Sequence, residues 1–419
     1  MKKIALAAGL LMMSLSLPSH AEESKAGGLE FSGNVDVVTG WQHDDRASFS
    51  PTLAVPGGFV AFPGSGLLGD FRGANAPSRD TFNFYIDQVE LDLNKSFGDR
   101  IRLRVDLDFG RVLSGSTRVT ESPPAFANFG NPFPNNFNLE QAYVTVGIPG
   151  NGELLFGRFN APIGYYVVDR ADNPTISFSN IYEFVSPTNV TGMKAYWAFN
   201  DNIDLHVYLV NQLYDCLFTV GCLSGPSVPG VSGDSAIPSW GMRLGYNWGS
   251  EKSKSTVGIS YAGGPEQPGH NAHLTHMFDL DFALHPTENL LIAGEGIYYQ
   301  QDLSPQQVAV LGAGAPNNKF FGGLLVLDYS LSDIWDVFFS YGYVHDLQGA
   351  LTGIDQQINN FVIGAGYQIT DDAKLKLEYR ADLHHYSQAA AASGAASFGT
   401  NGNQTALSNA VAAEFAYRF

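Results

Sequence analysis

The sequence predicts an all-β chain, a single closed antiparallel barrel that crosses a membrane with about 16 strands, in a range of roughly 14 to 18. Three observations predict it. Segment after segment alternates apolar and polar residues with a period of two, the pattern of strands that bury one face. The connections alternate strictly between short turns and longer Gly/Pro-rich stretches, an asymmetry that a transmembrane barrel requires and a soluble sandwich does not. Beyond residue 21 no stretch approaches the roughly 20 apolar residues of a spanning helix, so only strands can carry this chain through a membrane.

The N-terminus is read apart from the fold. Lys2 and Lys3 precede an apolar run from Ile4 to Leu17, and Ser19-His20-Ala21 is a small-x-Ala cleavage pattern. Met1 to Ala21 is therefore expected to be a secretory signal peptide, followed by a short periplasmic leader over 22–28 and one barrel over 29–419. Removing the signal leaves 21 basic against 41 acidic residues, a net charge of −20. Such a chain is a poor partner for nucleic acid.

The first strand is Leu29 to Trp41, with Leu29, Phe31, Val35, Val37 and Trp41 on one face and Glu30, Ser32, Asn34 and Asp36 on the other. After a long connection to about Arg79 come a strand centred on Val89, Leu91 and Leu93, a turn over Ser96 to Asp99, and a return strand Arg100 to Phe109. That return strand is the clearest of all, with Ile101, Leu103, Val105, Leu107 and Phe109 opposite Arg102, Arg104, Asp106 and Asp108. Strands at Ala142–Ile148 and Leu154–Phe159 precede a third long connection, Asn160 to Asn189. Ten further strands follow in five hairpin pairs: Thr191–Phe199 with Ile203–Val210, Trp240–Trp248 with Val257–Ala262, Met277–His285 with Leu290–Tyr299, Phe321–Tyr329 with Ile334–Val344, and Phe361–Ile369 with Lys374–Asp382, before the final strand Leu407–Phe419. Beyond the signal, prolines fall between strands except Pro238 at a strand start, and Trp, Tyr and Phe gather at strand ends, as membrane-interface girdles require.

A barrel of this size has room for an aqueous lumen, so its inward charges are the candidate pore lining. The bases are Arg102, Arg104, Lys194, Arg243, Lys376 and Arg380. The acids are Asp106, Asp108, Asp204, Asp279, Asp281, Glu295, Asp328, Glu378 and Asp382. Each can instead pair with a neighbouring strand and simply keep the wall wet; a turn over Ser96 to Asp99 would set Asp92 beside Arg102 and Glu90 beside Arg104. The connection Asn160 to Asn189 is the candidate constriction, because Tyr165, Tyr166, Asp169, Arg170, Asp172, Tyr182 and Glu183 are an unusual endowment for a connector. Folded inward, its Asp169, Asp172 and Glu183 would oppose Arg102, Arg104 and Arg243 across an eyelet. Folded outward, it would pack on the rim.

Cys216 and Cys222 are the only cysteines, five residues apart in a Gly/Pro/Ser-rich stretch. In an exported chain they are expected to form a small disulfide loop, and no histidine stands near enough to make a metal site with them. No Gly-x-Ser-x-Gly elbow, metal-spaced histidine pair or cofactor motif is present, so an enzyme, a resident metal and a cofactor are all disfavoured.

Two stretches carry a resemblance. The last strand, with Phe415, Tyr417 and Phe419 on one face, resembles the C-terminal strand of Gram-negative outer-membrane proteins, which the outer-membrane assembly machinery recognises. Leu155-Phe-Gly-Arg-Phe-Asn-Ala-Pro-Ile-Gly-Tyr165, with Pro187-Thr-Asn-Val-Thr-Gly192 after it, is similar to the outer-membrane β-barrel porins of the OmpL-like type. The resemblance implies a Gram-negative outer-membrane channel, seated in lipid and lipopolysaccharide, that passes ions and small hydrophilic solutes, with a homotrimer as the porin habit. The competing class is a closed structural or adhesive barrel that displays its loops without conducting.

Overall fold

The computed structural model describes residues 28–44, 80–109, 137–213, 237–250, 253–266, 271–303, 316–347, 355–386 and 404–419. The expected signal peptide, residues 22–27 of the leader, and Cys216 and Cys222 lie outside these residues.

Sixteen strands are present: β1 Leu29–Asp44, β2 Asp80–Phe97, β3 Ile101–Phe109, β4 Phe137–Ile148, β5 Gly152–Asn160, β6 Asn189–Ala198, β7 Ile203–Val210 and β8 Ser239–Trp248 in the first half. The second half holds β9 Ser255–Pro265, β10 Leu274–Thr287, β11 Leu290–Gln301, β12 Asn318–Ser330, β13 Trp335–Asp346, β14 Gln356–Gln368, β15 Ala373–Tyr386 and β16 Gln404–Arg418. Each pairs with its sequence neighbours, and β1 pairs with β16, so the sheet is a closed antiparallel barrel without an edge. The seam runs from Asn34 opposite Arg418 to Asp44 opposite Ser408. At its end Gly33 and Phe419 exchange two backbone hydrogen bonds of 3.1 Å, and the Phe31 and Phe419 rings lie 6.0 Å apart.

The period of two sets what faces where. On β15, Leu375, Leu377 and Tyr379 are exposed on the outside while Lys376, Glu378 and Arg380 are buried inside. Polar side chains on the outer face would meet hydrocarbon, so the charges of this strand lie on its inner face. Pro265 and Pro286 fall within strands rather than beyond them, but at the ends of β9 and β10, where a missing ladder donor costs little.

Two features depart from the sequence reading. The β2–β3 turn spans residues 98–100, so the register places Asp92 opposite Asp106 and Glu90 opposite Asp108. The acid–base neighbours expected there are corrected: acids face acids, and Arg102 and Arg104 lie opposite Ser96 and Asn94. Second, strict alternation breaks at register shifts between β1 and β2, β3 and β4, and β10 and β11, the first two of which place acids in the interior. The β1–β2 register shifts so that Asp87 has no partner on β1, and Asp87 and Gln88 both point inward; the β3–β4 register does the same at Glu140 and Gln141.

Candidate functional site

The long connection between β5 and β6, residues 161–188, lies inside the barrel and spans it. Near its start stands Gly164, whose φ of +86° is a glycine conformation, and a Cβ there would sit 3.1 Å from both carboxylate oxygens of Glu295. Glu295 on β11 accepts from the Tyr165 N–H at 2.9 Å and the Ser186 hydroxyl at 3.3 Å, holding both ends of the loop against one wall. Asp279 on β10 accepts from the Gly164 N–H at 3.4 Å.

Across the lumen, β15 grips the loop backbone. Lys376 Nζ donates to Asn173 O at 2.9 Å, Glu378 accepts from Ile176 N at 2.6 Å and Ser177 Oγ at 2.5 Å, and Arg380 donates to Phe178 O at 2.7 Å and Asn180 Oδ1 at 2.8 Å. Arg170, in a single 3-10 turn over Arg170–Asp172, pairs with Asp87 at 2.9 Å and lies over the Phe178 ring at 4.3 Å. Asp172 pairs with Arg418 near the end of β16. Ile176 packs on Val38 of β1 and Ala410 and Ala412 of β16, which are small enough to admit it at the seam.

The rest of the loop has an apolar core of its own. A short helix, α1 (Asn180–Phe184), starts at Ser179, whose side chain accepts from Tyr182 N at 3.2 Å. Phe178 and Tyr182 stack with centroids 4.2 Å apart, and Ile181 reaches Gly322 of β12, where a Cβ would come within 2.8 Å of Ile181 Cγ1. Tyr165, Tyr166, Phe178 and Tyr182 join inward residues of β11 to β14 such as Tyr299, Phe320, Val326 and Ile358 in one buried cluster. The inner wall is thus divided, apolar beneath the loop and acidic on β2 to β4.

Of the expected lining residues, Asp106, Asp108, Lys194, Asp204, Arg243, Asp279, Asp281, Glu295, Lys376, Glu378, Arg380 and Asp382 are buried in the interior, and Asp328 and Arg104 are half-buried there. Arg102 stays exposed at the turn end of β3 and pairs with Glu153 at 2.5 Å. Arg243 pairs with Asp281 at 2.7 Å and Arg380 with Asp382 at 2.9 Å, both on the wall. The eyelet expected between loop acids and Arg102, Arg104 and Arg243 is therefore corrected: all three bases are matched by wall acids, Arg104 by Asp106 at 2.8 Å, Asp172 meets Arg418, and of the three only Arg104 is an electrostatic neighbour of Asp169. The side chain of Glu183 lies outside the described residues.

The loop titrates abnormally as a consequence of burial. Burial, reinforced by Asp172, pushes the Asp169 carboxyl up to about 6. Burial pushes the Tyr166 phenol up to about 12, against the opposing pull of its 2.8 Å hydrogen bond with Thr175. Burial also raises Asp172 despite the guanidinium of Arg418.

Asp87 and Glu140 are interior acids that alternation could not find, because each is the extra residue of a bulge. Their only signal was two successive polar residues, Asp87-Gln88 and Glu140-Gln141, inside otherwise alternating strands.

A closed 16-strand barrel, apolar outside, charged inside and crossed by its third long connection, defines the porin class of outer-membrane proteins. The model of one family, Putative beta-barrel porin-2, OmpL-like, matches residues 28–419, and the chain belongs to that family. Among curated proteins no sequence matches it significantly. Solved structures share the fold at low identity. The outer-membrane channel DcaP of Acinetobacter baumannii superposes with a TM-score of 0.61 at 12% identity, covering 96% of this chain and all of that one. An anion-selective porin from Comamonas acidovorans gives 0.55 at 11%, covering 94% and 100%. The trimer form of OmpT from Vibrio cholerae gives 0.51 at 12%, again covering 94% and 100%. Family and fold together place the chain in the outer membrane of a Gram-negative bacterium.

Proposed function

We propose that this barrel is a passive diffusion channel for ions and small hydrophilic solutes, narrowed by the loop over 161–188 and weakly selective for cations. The observation that carries the reading is the loop lodged across the lumen between Glu295 on one wall and Lys376, Glu378 and Arg380 on the other. Cation preference is supported by the interior charge. Arg102, Arg104, Arg243, Lys376 and Arg380 are each matched by an acid and Lys194 lies over the Phe159 ring, while Glu90, Asp108 and Glu140 on β2 to β4 have no base bound to them among the described residues. The ionised fraction of such an acid cluster beside a confined aqueous path raises the local concentration of cations.

In this reading Met1 to Ala21 directs export, Phe415, Tyr417 and Phe419 engage the assembly machinery, and the outer face contacts lipid and lipopolysaccharide. The trimer form of the Vibrio cholerae relative supports a homotrimer. Planar bilayers with a salt gradient test the proposal, which expects ohmic single channels and a reversal potential of cation-selective sign. The dense apolar packing of the loop against β11 to β14 favours a second reading, a closed barrel that displays its outer loops. Absence of conductance from correctly folded protein would establish that second reading and end the first.

A further inference from the structure

The interior wall of β2 to β4 gathers Glu90, Asp92, Asp106, Asp108 and Glu140, and the loop adds Asp169, with Arg104 the base that enters this group. One ligand oxygen from each of Glu90, Glu140 and Asp169 lies within 4.8 Å of the other two, a spread matched by a single calcium ion with oxygens ~2.4 Å away. Acids gathered in this way do not by themselves make a site. How their oxygens are held makes the argument.

Neutral amides, not bases, hold one oxygen each of Glu90, Glu140 and Asp108. Asn34 Nδ2 donates to Glu90 at 2.5 Å, Asn160 Nδ2 to Glu140 at 2.7 Å, and Gln88 Nε2 to Asp108 at 3.1 Å. Such contacts orient a carboxylate and leave its charge in place, which is how outer-shell groups prepare metal ligands. The other oxygens of Glu140 and Asp108, on side chains with 0% exposure, receive no donor among the described residues, nor does Asp169 Oδ1. They converge, with a carboxylate oxygen of Glu90, of Glu140 and of Asp169 within 4.8 Å of one another. The β4 bulge is what turns Glu140 into this space. Buried oxygens without a donor are costly unless a cation meets them.

We propose that Glu90, Glu140 and Asp169 bind one calcium ion inside the barrel, tying the lumen loop to β2 and β4 opposite its grip on β15. An all-oxygen, all-carboxylate set selects a hard cation, and three acids from three separate elements suit the larger, more tolerant calcium over magnesium. The proposal goes beyond the channel reading and does not depend on it, since binding is measured without current.

The test is calorimetric titration of calcium chloride into the full chain, folded in zwitterionic detergent and stripped with chelator, at pH 7.5 and physiological salt. One saturable calcium per chain is expected. Glu140→Gln and Asp169→Asn should each weaken it by at least about tenfold, while Asp333→Asn, in the exposed β12–β13 turn, should leave it unchanged. Heat-modifiable gel migration reports whether each variant has folded, and the loop substitution keeps the test open if the strand substitution prevents folding. No saturable binding, or binding that neither interior variant weakens, overturns the site and leaves shared protons as what neutralises these oxygens. Equal affinity for magnesium overturns the choice of ion.

Discussion

At the scale of the residue, Gly164 decides whether the loop can enter the barrel. Its positive φ strains any side chain, a Cβ there would press on Glu295 at 3.1 Å, and the same carboxylate anchors Tyr165 and Ser186. Gly164→Ala should cost about 1–3 kcal/mol through the backbone alone. We expect a lower urea midpoint for the folded barrel in micelles with an unchanged β circular-dichroism spectrum, and an unaltered midpoint would show that the loop start is freer than it stands here. Residues of this kind are only partly legible in a sequence. Glu295, Glu378 and Arg380 could be assigned to the inner face from alternation, yet their partners lie 130 to about 200 positions away and no local pattern encodes them. Asp87 and Glu140 were hidden for a different reason, since a bulge moves a residue to the face that period-two counting denies it.

At the scale of the element, all sixteen strands were readable, because a lipid-facing strand must be apolar at every second position and the lumen tolerates charge between them. Turn chemistry was readable only to within a residue or two. A two-residue misplacement of the β2–β3 turn centre shifts the pairing by four and turns an expected row of ion pairs into facing acids. The loop over 161–188 was conspicuous in composition, but its docking depends on apolar positions of β11 to β14 whose inward face resembles a core rather than a pore. Deleting Asp169 to Ser177 removes the contacts to Glu378, Lys376, Asp87 and Arg418 together. Single-channel conductance of that deletion should rise several-fold, on the principle that a confined lumen is limited by its narrowest section. A value equal to wild type would mean that solutes never pass this loop.

At the scale of the whole molecule, the chain returns to its own beginning: β16 closes on β1, with Phe419 bonded to Gly33. Removal of Phe419 takes away the side chain packed beside Phe31 and one end of the seam. Outer-membrane insertion, measured by surface proteolysis of intact cells, should fall before the conductance of the inserted fraction changes, and normal insertion would argue against a role of the last residue in assembly. The seam also carries Ile176 on Val38, Ala410 and Ala412, and Asp172 on Arg418. Part of the loop's berth thus does not exist until the last strand has been laid down. Folding order follows from this: earlier hairpins can form with the loop loose, and the contacts of Ile176 and Asp172 at the seam are completed only on closure. The loop in its berth is in effect a record, written inside the molecule, that the cylinder has been completed.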